Sequence, residues 1–188
     1  MQRRFTTIAG FDDAPFPADH EGSVQVVGTV YAGMKLNGVL IGEVEKDGQD
    51  AASRLASLVA ESRFAPIVQL LMLQGIAMAG FNVVDVFSLH ERLARPILVV
   101  SRKRPDMVAI KEALLAHVRG GTGKWTLIER LGPMEPAGNV FVQRVGLTIE
   151  EAEATVRRFA IEGAIPEPLR VAHLIAGAVA EGQSRGRV

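Results

Sequence analysis

Cysteine is missing from this chain altogether. Disulfides, thiolate zinc sites, iron–sulfur clusters and thiol nucleophiles are therefore excluded together. The same absence fits a reducing compartment. No apolar leader follows the first residues, so a cytoplasmic location is expected. Histidine is scarce. His20, His90, His117 and His173 are scattered without HExxH or HxH spacing, which argues against a histidine-rich metal centre. Excess charge is also lacking, because 21 Lys and Arg balance 21 Asp and Glu. That disfavours a generally basic nucleic-acid binder but leaves room for a local basic patch. Residues 64–84 carry no charged side chain and are long enough to span a bilayer. Pro66, Gln69, Gln74, Gly75, Gly80 and Asn82 interrupt that run. It reads as a buried strand, a glycine turn and the start of a helix, so no membrane partner is expected.

What is present fits a globular protein, with 48% hydrophobic and 22% charged residues in 188. A length of this order suits one domain over 1–188, with 183–188 as a frayed tail. The oligomeric state is left open, a homodimer being one candidate. Residues 5–11 form an apolar run that ends at the turn signal Asp12-Asp13-Ala-Pro. Residues 23–33 and 39–45 read as further strands, with Asn37-Gly38 either a bulge or the end of a tight turn. Their short connections predict an antiparallel meander. Ala51, Leu55, Leu58 and Val59 then recur at helical spacing behind Asp50 as N-cap. Residues 67–73 and 96–101 read as buried parallel strands. Residues 82–93 and the segment after Asp106 read as helices. Gly120–Lys124 reads as a turn into a short strand near Trp125, and 139–143 as another strand. Thr148 to Glu151 is a capping box. Pro168 sits near the start of a last helix that ends at Gly182. The order predicts an α/β fold: a ribonuclease H-like mixed sheet, a three-strand meander plus parallel strands, with flanking helices.

Five features carry potential chemistry. Asp12-Asp13 closes the first strand, and paired carboxylates suit a hard divalent cation, magnesium or manganese. If the strand continues through them, only one faces a given site. Asp47 and Asp50 flank the start of the first helix, where Asp50 also serves as a cap. Gln74, Gly75, Gly80, Phe81 and Asn82 form a glycine-bearing segment placed between strand and helix, suited to approaching phosphate or sugar. Arg102, Lys103 and Arg104 follow a buried strand, where α/β ligand sites form. On the last helix, Val171, Leu174, Ile175 and Ala178 form the expected apolar arc. His173 points off it among small neighbours that leave room for a partner. The Gly120–Lys124 stretch fails as a phosphate loop. Val118 stands where glycine is needed, and Trp125 replaces the magnesium-binding hydroxyl residue.

Pro166-Glu167-Pro168-Leu169-Arg170-Val171-Ala172-His173 resembles the Pro-Glu-Pro-Thr-Arg-x-Ala-(His/Asp) helix start of endonuclease V, with Leu for Thr. Gly10-Phe11-Asp12 is similar to that family's Gly-x-Asp first strand. Pro96 to Arg102 is similar to its Pro-x-Ile-Gly-x-Ala-Lys strand, with Arg102 at the lysine, and Val140-Phe141-Val142 to the strand before its penultimate helix. Asp12-Asp13-Ala14-Pro15-Phe16 and Ala79 to Asp85 look more like a mainly archaeal sister family, endonuclease dU.

The resemblance covers nearly the whole chain. It implies a ribonuclease H-like fold and magnesium- or manganese-dependent phosphodiester cleavage near a deaminated base, uracil or hypoxanthine. DNA is favoured over RNA as the partner. Asp12 would be the main metal ligand, helped by Asp13, Asp47 or Asp50. Arg102 or Lys103 would stand beside the scissile phosphate and His173 in the site. Two departures are plain. Endonuclease V has Asp-Gly where this chain has Gln74-Gly75, and its Pro-Tyr-Ile-Pro-Gly wedge is absent here. A catalytically impaired nucleic-acid or nucleotide-binding protein with the same fold is the alternative.

Overall fold

The computed structural model describes residues 2–184. The tail expected to fray, 183–188, lies mostly outside them. Three strands open the chain: β1 (Thr7–Asp13), β2 (Ser23–Ala32) and β3 (Lys35–Glu45). They form the expected meander. β1 runs antiparallel to β2, and β2 antiparallel to β3. The register of β2 against β3 slips between Val30 and Tyr31, because Val30 pairs with Gly38 and Tyr31 with Leu36. Asn37 is therefore a bulge residue, while the turn itself falls at Gly33 and Met34. A side chain at position 38 would run into the ring of Phe64, which accounts for glycine there.

Helix α1 (Ala51–Ala60) follows, then β4 (Leu70–Gln74), a small hairpin of β5 (Ala77–Met78) and β6 (Asn82–Val83), α2 (Val86–Leu93) and β7 (Ile97–Ser101). Next come α3 (Met107–His117), α4 (Gly121–Leu131), β8 (Glu135–Ala137), β9 (Val140–Val145), α5 (Ile149–Phe159) and α6 (Glu167–Glu181). The main sheet has the order β3-β2-β1-β4-β7-β9-β8. β4 lies parallel to both β1 and β7, and β9 returns antiparallel to β7.

Strand periodicity sorts the core into two layers. Ala9, Phe11, Leu71, Leu73, Ile97 and Val99 pack on one face with Leu55, Val59 and Leu89 from α1 and α2. Ile8, Leu70, Met72, Leu98 and Val100 pack on the other with Val156, Phe159 and Leu169 from α5 and α6. Central strands covered on both faces have no solvent side, so β4 reads as an unbroken apolar run up to Gln74.

Two segments differ from the sequence expectation. Residues 82–85 are not helical. Ala79 and Gly80 both have positive φ (48° and 82°) and turn the chain into the β5–β6 hairpin, so α2 starts only after Asp85. The chain around Gly120–Trp125 is a helix, α4, not a turn and strand. Its glycines mimic turn signals, yet Gly121 serves packing, because any side chain there would overlap the backbone of Leu114 in α3. Asp106 and the Thr148–Glu151 capping box are present as expected.

Gly10 brings the last helix to the sheet. A Cβ at this position would lie 2.6 Å from Pro168 at the start of α6, and Thr29 Oγ1 donates to the Pro168 carbonyl at 2.6 Å. Gly10→Ala must therefore push α6 outward. Overpacking of this kind costs roughly 1–3 kcal/mol. A melting-temperature drop of about 2–10 °C is expected in a thermal scan. An unchanged melt would show that α6 is not seated on Gly10.

Candidate active site

The site grows from the end of β1. Asp12 and Asp13 lie inside the strand, paired with Val27 and Val26, rather than in a turn. Their side chains therefore leave on opposite faces. Asp12 is buried, at 6% exposure, on the α6 face. Its Oδ1 accepts the Asp13 N–H at 3.0 Å, and its Oδ2 lies 2.8 Å from His173 Nδ1. Burial raises the Asp12 carboxyl above its ordinary range, and the bond to His173 only partly offsets that. The same bond raises the His173 pKa.

The buried stripe of α6 is Leu169, Ala172 and Ala176, not the arc of Val171, Leu174, Ile175 and Ala178 that side-chain size suggests. The small residues around His173 thus serve the close approach of helix to sheet. His173, on the flank of that stripe, is carried over Asp12. Gly10 lets the start of α6 come close to the sheet at Pro168, and the residues that then face the sheet are Leu169, Ala172 and Ala176.

Gln74 joins this pair. The parallel register sets Gly10 against Met72 and Phe11 against Leu73. Asp12 and Gln74 are the next residues of the two strands, and strand alternation puts both on the α6 face. The buried Oε1 of Gln74 has no hydrogen-bond partner among the described residues. An unmatched buried acceptor costs about 1–3 kcal/mol, so it marks a place built for a donor or a cation.

The other carboxylates go elsewhere. Asp13 Oδ2 accepts the Ala79 N–H at 3.0 Å across the sheet, and burial with the nearby Asp12 charge pushes its pKa up to about 6. Asp47 Oδ1 accepts the Phe81 N–H at 2.7 Å, and the Asp47 N–H donates to the Ala79 carbonyl. Asp13 and Asp47 therefore clasp the β5–β6 turn. The buried Lys124 of α4 donates to the Asp47 carbonyl. Asp50 stands at the N-cap position of α1 but its side chain makes no cap. It accepts instead from the Glu45 amide, Asn82 Nδ2 and Arg54, which together hold its pKa down against the effect of burial. The cap of α1 comes from Asn82, whose Oδ1 accepts the Ala51 N–H. Asn82 is fully buried and committed to these bonds. Among the described residues no three Asp, Glu or His side chains converge at metal-binding distance.

Gly75, Gly80 and Phe81 are brought together, but in an apolar pocket rather than at a helix N-terminus. Its volume is about 260 Å³, and Ser101, Met107, Ile128 and Gln143 also line it. The helix start nearby is capped by Asp85, whose carboxylate accepts the Ser88 N–H, so it offers no anion site. Ser101, Ile128 and Gln143 were not legible as lining residues, since α4 reads as a turn and nothing local shows that the strand read at 139–143 returns beside β7. A second cleft, of about 410 Å³, runs past Asp12 and His173 between Phe16, Gly177 and Glu181. Arg102, Lys103 and Arg104 are exposed in the loop after β7, at the same sheet end as Gln74. Arg104 stacks over Phe141 at 5.2 Å.

This donor set fits a divalent cation of the magnesium type. Such ions keep several waters and need only one or two protein oxygens, which a buried carboxylate and a free amide oxygen supply. Asp12 and Gln74 would hold it.

A family model described as Endonuclease dU matches residues 4–180. A UPF0215 protein of Deinococcus radiodurans is 50% identical over 184 residues, covering 98% of this chain and 94% of that protein. One from Methanothermobacter thermautotrophicus is 42% identical, covering 95% and 90%. The crystal structure of an Archaeoglobus fulgidus protein of unknown function superposes with a TM-score of 0.85 at 34% identity, covering 92% of this chain and 97% of that one. Ciona intestinalis endonuclease V, solved with inosine-containing DNA, gives a TM-score of 0.57 at 15% identity, covering 90% and 83%. That last likeness concerns the fold, which is ribonuclease H-like. The match over nearly all of its length makes this chain a member of the endonuclease dU family.

Proposed function

We propose that the protein is a magnesium- or manganese-dependent endonuclease that hydrolyses a phosphodiester at or near a deaminated base, uracil or hypoxanthine. The observation that carries this reading is buried Asp12, partnered by His173, at the end of β1, with the unmatched Oε1 of Gln74 at the end of the neighbouring parallel strand β4. When bound, the cation supplies an acidic centre that lowers the pKa of a coordinated water. Asp12 gives the site its negative charge. His173 fixes the Asp12 carboxylate through Nδ1 and keeps Nε2 to exchange a proton with water. Arg102 and Lys103 meet the phosphate oxygens, where developing charge is greatest. The apolar pocket at Gly75 and Phe81 has the size for one heterocyclic base and lies at the same end of the parallel strands. Nucleic acid is the partner, with DNA preferred.

Gln74 sets the strength of the site. Gln74→Asp adds a second carboxylate, and manganese affinity is expected to rise by about tenfold or more in titration calorimetry. Gln74→Ala is expected to weaken it by a similar factor. Equal affinities in all three proteins would place the cation elsewhere.

One observation favours a second reading. Asp13, Asp47 and Asp50 are committed elsewhere, and among the described residues no three Asp, Glu or His side chains gather to hold a cation. A binding protein that keeps the fold without the chemistry would show salt-sensitive DNA affinity, indifferent to EDTA, and no cleavage.

A further inference from the structure

The apolar pocket holds a buried polar side chain that the metal site does not use. Gln143 stands in β9 opposite Val99 of β7, so both lie on the α1 and α2 face of the sheet. Gln143 lines the pocket while only 4% exposed. Its Nε2 donates to the carbonyl of Gly132, which ends α4, at 2.6 Å. The last carbonyls of a helix lack partners within it, so this bond is well placed. It also settles the orientation of the amide. Gly132 offers an acceptor, so the nitrogen must face it and the oxygen must lie on the other side. That oxygen, Oε1, accepts from none of the described residues.

Three other donors of the lining are already spent. The Gly75 N–H donates to the Val100 carbonyl at 2.9 Å, and the Phe81 N–H to Asp47 Oδ1 at 2.7 Å. The Ser101 hydroxyl donates to the Lys103 carbonyl at 2.6 Å. Ser101 pairs with Phe141, two residues from Gln143 in the same strand, so Ser101 and Gln143 share one face. What these two side chains have left to offer is oxygen lone pairs. A buried acceptor without a donor costs stability, and a ligand that supplies the donor recovers it.

Deamination exchanges hydrogen-bonding character at exactly one ring position of a base. Cytosine and adenine carry a bare ring nitrogen, an acceptor, beside an amino group. Uracil and hypoxanthine carry a ring N–H, a donor, beside a carbonyl. An oxygen facing that position accepts from the deaminated base and meets a lone pair in its parent. We infer that Gln143 Oε1 takes the ring N–H and is the group that selects a deaminated base over its amino parent. The inference rests on the reading of this pocket as the base site. A site built around a hydrogen bond to a ligand N–H rejects the analogue lacking it far more strongly than one built on shape alone.

Nucleosides titrated into the full chain in EDTA, followed by protein NMR, test this without any cleavage step. Deoxyuridine is expected to bind at least about tenfold more tightly than deoxycytidine. The same margin is expected over 3-methyldeoxyuridine, in which a methyl group replaces the ring N–H. Deoxyinosine is expected to exceed deoxyadenosine likewise. Gln143→Met, close in size but without the acceptor, is expected to bring deoxyuridine and deoxycytidine within about twofold of each other. Loss of the Gly132 bond alone would weaken both alike and leave their ratio standing. Equal binding of deoxyuridine and deoxycytidine by the wild type, or a ratio that survives in Gln143→Met, would overturn the assignment. So would rejection of the methylated nucleoside with deoxycytidine still bound, which is selection by shape, and so would the failure of every nucleoside to shift the pocket resonances. The wild-type series decides the matter even if the variant does not fold. The cleavage reading fails separately. Strands left uncut, with the nucleoside preference intact, would remove that reading and leave Gln143 in its role. Cutting at uracil with no nucleoside preference would remove Gln143 and leave the nuclease.

Discussion

Asp12→Asn is expected to slow cleavage by about 10²–10³-fold, while leaving the protein at least as stable as before. The loss follows from the proposed role of Asp12 as the charged ligand of the cation, electrostatic groups of this kind each being worth ~10²–10³-fold in rate. The stability follows from burial. The Asp12 carboxyl has a raised pKa, with desolvation the largest cause, so its ionised form is disfavoured by the fold. A folded-state pKa above the unfolded one means that stability falls as pH rises through it. Asparagine keeps an oxygen for the Asp13 N–H and removes the buried charge. Cleavage rates and thermal melts of the same preparation check both halves. A variant that loses cleavage because it has unfolded would contradict the second half, and one that cuts normally would contradict the first.

Asp13→Asn is expected to stabilise the metal-free protein strongly at alkaline pH. The Asp13 pKa rises from an ordinary 3.8 to about 6, because of burial first and the Asp12 charge second. Below pH ~4 the carboxyl is protonated in both folded and unfolded chains, and it carries no penalty. Between pH ~4 and ~6 the unfolded chain ionises more readily, so the wild type loses stability as pH rises. Above that window the loss is complete, at roughly 3 kcal/mol for a shift of about two units. The variant lacks this slope and still accepts the Ala79 N–H through its amide oxygen. In EDTA at pH 8 its melting temperature is expected to be about 5–10 °C higher, converging with wild type near pH 4. Parallel pH profiles for the two proteins would show that Asp13 is not the source of the slope. Its role is to hold the β5–β6 turn, and the turn tolerates a neutral acceptor.

The meander, the buried parallel strands and the capped helices were legible because each rests on local periodicity or a short cap motif. Asp12 was legible because it ends an apolar strand, and His173 through the Pro166–His173 resemblance. What the sequence hid were contacts between distant segments. Asp47 and Asp50 share a residue type with Asp12, and nothing local shows that one clasps Phe81 and the other Asn82. The α1 cap looked like Asp50 because that residue has the right position, yet Asn82 supplies the bond across 31 residues of chain. The arc of α6 was misjudged because hydrophobic size was weighed without the close approach of α6 to the sheet, which is set by the distant contact of Gly10 with Pro168. Gly120 to Gly123 read as a turn because glycine is ambiguous between a bend and a tight helix crossing.

The central claim is that the Asp12–Gln74–His173 cluster cuts nucleic acid beside a deaminated base. It is tested most directly with end-labelled DNA and RNA strands carrying one uracil, one hypoxanthine or neither, incubated with magnesium, manganese or EDTA. The account predicts a single metal-dependent cut near the deaminated base, strongest in DNA and abolished by EDTA. Intact strands under every condition, with the protein folded and bound to them, would contradict it and leave a binding protein in its place.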